Sequence, residues 1–230
     1  MMSKIRAVSG ILFTLLVMPL MILLMYVFRN HHRKIRKFCA QWFLKIFGVK
    51  AEVTGEPDLQ AQILLMNHQS FMDVIYMEAV HKRDLCWIAK KDLGKPFLYG
   101  HALKAPKMIL INRENKKELV FLMKKAKKRL SEGRLLCIFP EGTRSKGLEK
   151  FLPFKKGAKF LIEHFKLKVQ PIVFCRTRQC LDIGAIDFKN VTFQVKYLES
   201  FIPKEKDWFE KLREKMQEEY NLLYHQTQES

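Results

Sequence analysis

The chain opens with a long apolar run. Residues 10–28 contain no charged side chain, and the run is just long enough to approach a bilayer span. No small-x-small cleavage pattern follows it, so the pattern predicts a retained membrane helix rather than a signal peptide. Basic residues on both sides leave open a helix that spans the bilayer and a helix that dips into one leaflet. The larger positive excess follows the run, which favours the cytoplasmic side of the inner membrane for the rest of the chain.

A second apolar pattern follows directly. Within residues 35–47, one helical stripe carries Ile35, Phe38, Cys39, Trp42, Phe43, Ile46 and Phe47, and the opposite face is basic. This pattern is typical of a helix that lies in the membrane interface. The alternative is a helix that covers the core of the following domain.

Strand-like and helix-like patterns alternate beyond residue 50. Short apolar runs predict strands at 62–66, 85–89, 108–112, 135–139, 169–174 and 191–198, the last half exposed because apolar and polar residues alternate. Apolar stripes predict helices at 116–131, 157–165 and from about 207 onwards. The alternation favours an α/β domain with a mixed sheet flanked by helices. We expect a membrane-associating segment at 1–48, a catalytic domain at 49–203 and a C-terminal helix at 204–230.

Charge and cysteine content narrow the function classes. The chain of 230 residues has a formal net charge of +19, which indicates a polyanionic partner. No nucleic-acid-binding motif is visible, so the predicted partner is an anionic membrane surface and not nucleic acid. The five cysteines have irregular spacings, which favours reduced core thiols over a metal site.

The first candidate site lies in the stretch Asn67-His68-Gln69-Ser70-Phe71-Met72-Asp73, which directly follows a predicted strand. Histidine titrates near neutral pH and can take a proton from a hydroxyl group. A nearby carboxylate such as Asp73 can orient the ring and stabilise the imidazolium. Two structural alternatives exist: His68 as a hydrogen-bonded residue at a strand end, and Ser70-x-x-Asp73 as a capping box at a helix start.

The second candidate site is Phe139-Pro140-Glu141-Gly142-Thr143-Arg144-Ser145, which again follows a predicted strand. Gly142 allows main-chain amides to approach an anion closely. Arg144 can bind a phosphate with two parallel hydrogen bonds. An ordinary polar turn is the alternative.

Together the two motifs resemble the 1-acylglycerol-3-phosphate acyltransferase family of phospholipid and glycerol acyltransferases, which carries N-H-x4-D followed by F-P-E-G-T-R-S. The resemblance covers roughly residues 50–200. Weaker matching blocks lie at 89–93, 109–113, 153–158 and 170–173.

The resemblance implies a glycerolipid acyltransferase-like fold and acyl transfer from a thioester to an alcohol, with His68 as general base, Asp73 orienting it and no covalent enzyme intermediate. It implies an acceptor and phosphate site at Glu141, Gly142, Thr143 and Arg144, with Arg113 as a second phosphate-binding candidate. Glu141 is expected to bind the glycerol part or to position Arg144. Asn67, Lys90 and Lys91 are supporting candidates, Asn67 by placing the loop or the acyl carbonyl. No metal or redox cofactor is expected.

The expected reaction acylates 1-acylglycerol 3-phosphate to phosphatidate, with acyl-CoA or acyl-carrier protein as donor. Two alternatives remain at this stage. In the first, the chemistry is the same and the acceptor is glycerol 3-phosphate or another lysolipid. In the second, the chain is a basic membrane-binding protein without catalytic activity. The second alternative leaves both motifs unexplained.

Overall fold

The structure is a computed structural model that describes residues 1–112, 117–145 and 149–226. Its helices are α1 Met2–Val27, α2 His32–Ile46, α3 Phe71–Val80, α4 Phe97–Lys104, α5 Lys117–Ser131, α6 Lys156–Phe165, α7 Thr177–Cys180 and α8 Trp208–Gln226. Its strands are β1 Ala51–Thr54, β2 Ile63–Met66, β3 Leu85–Lys90, β4 Ile109–Ile111, β5 Leu135–Ile138, β6 Val169–Cys175, β7 Leu181–Asp182, β8 Asp187–Phe188 and β9 Phe193–Tyr197.

Seven strands form one mixed sheet in the order β1-β9-β6-β2-β5-β3-β4. Strand β2 lies in the middle and pairs in parallel with β5 on one side and with β6 on the other. The carboxyl ends of these three strands therefore meet at one edge of the sheet. Strand β9 runs antiparallel to β6, which makes the sheet mixed as predicted.

The expectation of a half-exposed strand at 191–198 is wrong. Strand β9 lies between β1 and β6, and four of its five residues are buried. Strand β1, which is largely exposed, lies at the sheet edge instead.

Helices cover both faces of the sheet. On one face, α5, α6 and α8 pack onto side chains such as Ile63, Leu65 and Val173. On the other face, α3 packs against Leu64 and Met66, and Phe43 of α2 and Ala7 of α1 belong to the same apolar cluster. The first two helices are thus part of the hydrophobic core.

Helix α2 is joined to α3 by buried ion pairs. The Arg33 guanidinium binds Glu78 with an N–O distance of 2.6 Å, and Arg36 binds both Glu78 and Asp84. Arg134 also binds Asp84, at 2.8 Å. Arg36 lies on the basic side of this helix and is nevertheless only 5% exposed. Such a cluster ties α2 to the domain, because removing one partner of a buried pair leaves an uncompensated charge.

Apolar side chains on the outer face of α2 stay exposed, namely Phe38, Trp42 and Ile46. One side of this helix thus covers the core, as the alternative interpretation predicts, and the other side offers an apolar surface.

Helix α1 lies along the domain over its whole length. Near its start, Lys4 donates to the main-chain carbonyl of Ala185, and Gly10 packs against Phe188. Near its end, the Tyr26 hydroxyl lies 2.8 Å from Nδ1 of His101 on α4. By length and composition α1 is the one helix in the described part of the chain apolar enough to cross a membrane.

Candidate active site

The loop between β2 and α3 places His68 and Asp73 in contact. Nδ1 of His68 lies 2.8 Å from Oδ2 of Asp73. The same oxygen accepts the main-chain N–H groups of Gln69, at 2.8 Å, and Ser70, at 3.0 Å. The Ser70 hydroxyl accepts the N–H of Met72 and completes a capping box. Asp73 therefore caps the helix and orients His68 at once.

This arrangement fixes the chemistry open to the imidazole. With Asp73 as acceptor, Nδ1 of His68 carries the proton and Nε2 is left to accept one. The side chain of His68 is 17% exposed while that of Asp73 is fully buried. The site can therefore take a proton from a hydroxyl group that approaches from outside.

The His68 ring is also held by aromatic stacking. It lies on the Phe139 ring with centroids 3.8 Å apart and an interplanar angle of 11°. Trp87 stacks on Phe139 in turn, at 5.4 Å, and its Nε1–H donates to Oε1 of Glu78 over 2.7 Å. The imidazole is thus fixed from its edge by Asp73 and from its face by Phe139. The sequence gives no signal for the role of Trp87, because nothing in it places the β3 side chains beside β5.

Glu141 joins the two motifs. Its Oε1 accepts the main-chain N–H of His68 and its Oε2 accepts that of Leu152, both at 2.9 Å. The N–H of Ser145 donates to the His68 carbonyl over 2.7 Å, which adds a second link. Glu141 is 1% exposed, and it also lines the cavity described below. Burial raises the pKa of this carboxyl to about 7, against the lowering effect of the two N–H groups.

The following residues form an open turn. Gly142 has a φ of 77°, a left-handed conformation that suits glycine. Thr143 and Arg144 are exposed, and the Arg144 guanidinium has no hydrogen-bond or ion-pair partner in the described part of the chain. Burial raises the pKa of the Tyr99 phenol, and the charge of Arg144 lowers it.

A cavity of about 770 Å³ lies beside this turn. Gly142 and Thr143 line it, together with three lysines, namely Lys90, Lys155 and Lys156. Lys155 is the N-cap of α6 and Lys156 is its first residue, and the positive dipole end of the helix there also favours anions. The sequence predicts no role for these two lysines beyond their place in the family block at 153–158.

The other candidates are distributed as follows. Lys90 lines the cavity and forms an ion pair with Asp92 at 3.0 Å, whereas Lys91 pairs with Glu118 at 3.0 Å. The Asn67 amide is buried and bonds both the N–H and the carbonyl of Phe174, so it helps to place the loop. Arg113 lies outside the described residues.

A second, apolar cavity of about 160 Å³ lies between α3 and the first two helices. Its walls come from α1, α2, α3, β3 and α4, and include Met18, Phe71, Val74 and Tyr99. Among the residues described, no group of three or more metal-ligating side chains is found.

Comparison with known proteins points to one family. The acyltransferase family model matches residues 50–175. A 1-acyl-sn-glycerol-3-phosphate acyltransferase from Helicobacter pylori is 45% identical over 199 residues, which cover 86% of this chain and 84% of that protein. A yeast protein of the same name is 32% identical over 57% of this chain and 45% of its own length. The crystal structure of the 1-acyl-sn-glycerophosphate (LPA) acyltransferase PlsC from Thermotoga maritima shares the fold, with a TM-score of 0.68, 22% identity and 94% coverage of each chain.

Proposed function

This chain belongs to the acyltransferase family, and we propose that it transfers a fatty acyl group from a thioester to the free hydroxyl of 1-acylglycerol 3-phosphate, giving phosphatidate. The observation that carries this function is the His68–Asp73 pair, held at the sheet edge against the Glu141–Arg144 turn. A basic protein that only binds membranes would need neither contact.

In the proposed reaction, Nε2 of His68 takes the proton of the acceptor hydroxyl as its oxygen attacks the thioester carbonyl. Asp73 stabilises the imidazolium that forms. Collapse of the tetrahedral intermediate breaks the C–S bond, and the proton passes from Nε2 to the departing thiolate. No covalent enzyme intermediate is needed, since the acceptor oxygen attacks directly.

The phosphate of the acceptor is assigned to the Arg144 side of the site. Arg144 has two terminal nitrogens that suit a phosphate, and Lys155 and Lys156 add positive charge in the adjoining cavity. The apolar cavity beside Phe71 and Tyr99 suits an acyl chain. Acyl-CoA and acyl-carrier protein both carry the required thioester, and both are acidic enough to approach a basic surface.

The enzyme is membrane-associated, and we place the catalytic region at 49–203, with 1–48 and 204–230 packed on it. Both ends of α1 contact the domain. These contacts favour a helix that lies in one leaflet and disfavour a helix that spans the bilayer. The excess of basic residues after α1 supports the cytoplasmic side of the inner membrane.

The test is a turnover assay of the purified chain with 1-acylglycerol 3-phosphate, glycerol 3-phosphate and a neutral lysolipid, each with acyl-CoA and with acyl-carrier protein. We expect the first acceptor to give the highest kcat/KM. Preference for a lysolipid without phosphate would contradict the assignment of Arg144. A folded His68→Ala variant with the same turnover as wild type would contradict the mechanism.

A further inference from the structure

An aromatic side chain stands in solvent at the start of α4. Phe97 is 83% exposed, although burial of a phenylalanine is favourable. Leu93, on the short 3-10 turn Lys91–Gly94 just before it, is 42% exposed. Leu93 and Phe97 are only four positions apart in the sequence, and both are exposed. Two exposed apolar side chains at this spacing indicate a surface that is covered in the working protein.

This surface continues from the apolar face of α1. The rings of Phe97 and His101 lie 5.1 Å apart, and those of His101 and Tyr26 lie 5.8 Å apart. Tyr26 belongs to the exposed side of α1, whose other large apolar residues include Ile5, Leu12, Leu15, Leu16, Leu20, Leu23 and Val27. Rings with an apolar body and a polar tip are favoured at the headgroup level of a bilayer.

Basic residues border the same surface. Lys95 and Lys104 flank α4, and both are exposed. Lys95 forms an exposed ion pair with Asp92, which contributes little in water, while Lys104 has no such partner in the described part of the chain. Lysines near an anionic leaflet add to membrane binding. The charge around Phe97 therefore suits acidic lipid headgroups.

The turn that carries Leu93 is held rigidly against α4. A Cβ atom on Gly100 would collide with the main-chain carbonyl of Gly94, so the two segments touch through their backbones. Phe97 and Leu93 are thus presented in a fixed position relative to α1, as an inserting element requires.

The geometry points to a third membrane-inserting element: Leu93 and Phe97 enter an anionic leaflet beside α1 and α2. This inference rests on the membrane association proposed above. Tyr99 lies two residues after Phe97, and its ring lies 5.9 Å from that of Phe71, the residue directly after the His68–Ser70 loop. Insertion of Phe97 therefore sets the depth at which this loop meets a lipid acceptor.

Insertion is tested by fluorescence of the full chain on vesicles of phosphatidylglycerol and phosphatidylethanolamine that contain brominated acyl chains. Phe97→Trp is made in a Trp42→Phe background, because Trp42 is exposed on α2 while Trp87 and Trp208 are each 5% exposed. Leu16→Trp on α1 serves as the positive control, and Phe160→Trp on α6, at a position 44% exposed, as the negative control.

We expect quenching and a blue shift at positions 97 and 16 and neither at 160. Quenching at 16 without quenching at 97 would overturn the inference and leave membrane association intact. Quenching at 97 in a chain that catalyses no acyl transfer would support the element while the proposed reaction fails. A shift at 97 that needs added acyl-carrier protein instead of lipid would mean that the surface docks a protein.

The functional consequence is tested with Phe97→Glu and the matched control Phe160→Glu. Loss of one buried phenylalanine predicts roughly tenfold weaker vesicle binding for Phe97→Glu. Turnover on acceptor in vesicles falls with it, whereas turnover on a short-chain, water-soluble acceptor is unchanged. Unchanged vesicle binding would contradict the inference, and so would an equal effect of Phe160→Glu.

Discussion

The main-chain N–H of His68 donates to Oε1 of Glu141 over 2.9 Å. This bond joins the loop after β2 to the turn after β5, two segments far apart in the sequence. Because the second carboxylate oxygen accepts the N–H of Leu152, Glu141 also fixes the segment that leads to the cavity. Glu141 therefore holds together the two sequence motifs of the site.

Replacement of Glu141 by glutamine is expected to lower kcat by up to about 100-fold, because small misplacements of reacting groups cost that much. The amide has one acceptor oxygen for two N–H donors, so one of the two bonds is lost. Steady-state kinetics of Glu141→Gln and of the exposed control Glu218→Gln would measure this. A change confined to KM for the acceptor would instead mean that Glu141 binds substrate.

The same carboxyl predicts a pH dependence of stability. Its pKa is raised from 4.5 to about 7, so between these values the folded state binds more protons than the unfolded state. The contribution of Glu141 to stability should therefore fall as pH rises from 4.5 to 7 and stay constant above 7. Thermal unfolding across this range should show the Tm of wild type falling relative to that of Glu141→Gln as pH rises. A Tm of wild type that rises relative to that of the variant would contradict the raised pKa.

Substitutions can separate the two roles of Asp73, which are orienting His68 and capping α3. His68→Ala should lower kcat by roughly two to four orders of magnitude, since it removes the base. Asp73→Asn should also be severely impaired, because an amide in place of the carboxylate no longer stabilises the imidazolium. Ser70→Ala removes the cap bond to Met72 and leaves Oδ2 of Asp73 in place, so it should cost about 1 kcal/mol of stability. If Ser70→Ala and Asp73→Asn have equal effects on kcat, Asp73 is mainly a cap.

The sequence predicted the elements that end at the site because their signals are local. The apolar runs before Asn67 and Phe139 end within one residue of β2 and β5, and the Ser70–Asp73 spacing marks the start of α3. The sequence did not predict the contacts that residues make between strands. The bonds of Asn67 to Phe174 and the stacking of Trp87 on Phe139 depend on strand order, which local patterns do not contain.

Helix α2 illustrates a second limit. Its pattern is that of an interfacial helix, and Arg36 falls on the basic side. The structure buries Arg36 because Glu78 and Asp84, from distant segments, neutralise it. A buried charge has no sequence signal of its own until its partners are known. Short elements such as β1 and the β7–β8 hairpin were missed for a related reason, since each is stabilised by a neighbouring strand.

The open guanidinium of Arg144 predicts a change in acceptor binding. Arg144→Lys keeps the charge and loses the planar pair of donors, so KM for 1-acylglycerol 3-phosphate should rise while KM for the donor stays the same. Arg178→Lys is a matched control, because Arg178 already forms a 2.7 Å ion pair with Asp182. An effect on the donor alone would move the acceptor phosphate to another part of the site.

The buried ion pairs between α2 and α3 predict that the first two helices are needed for folding as well as for membrane binding. Deletion of residues 1–47 would leave Glu78 without either arginine partner, and removal of one partner of a buried pair typically costs about 3–5 kcal/mol. Activity should then be lost on vesicle substrate and on a short-chain soluble acceptor alike, with a large fall in Tm. The double variant Leu12→Gln with Leu16→Gln separates the two roles, because these side chains are 60% and 78% exposed. It should weaken vesicle flotation and turnover on vesicles while Tm and turnover on the soluble acceptor are kept. Full soluble activity in the deleted chain would mean that α2 is a dispensable anchor and that the ion cluster contributes little to the fold.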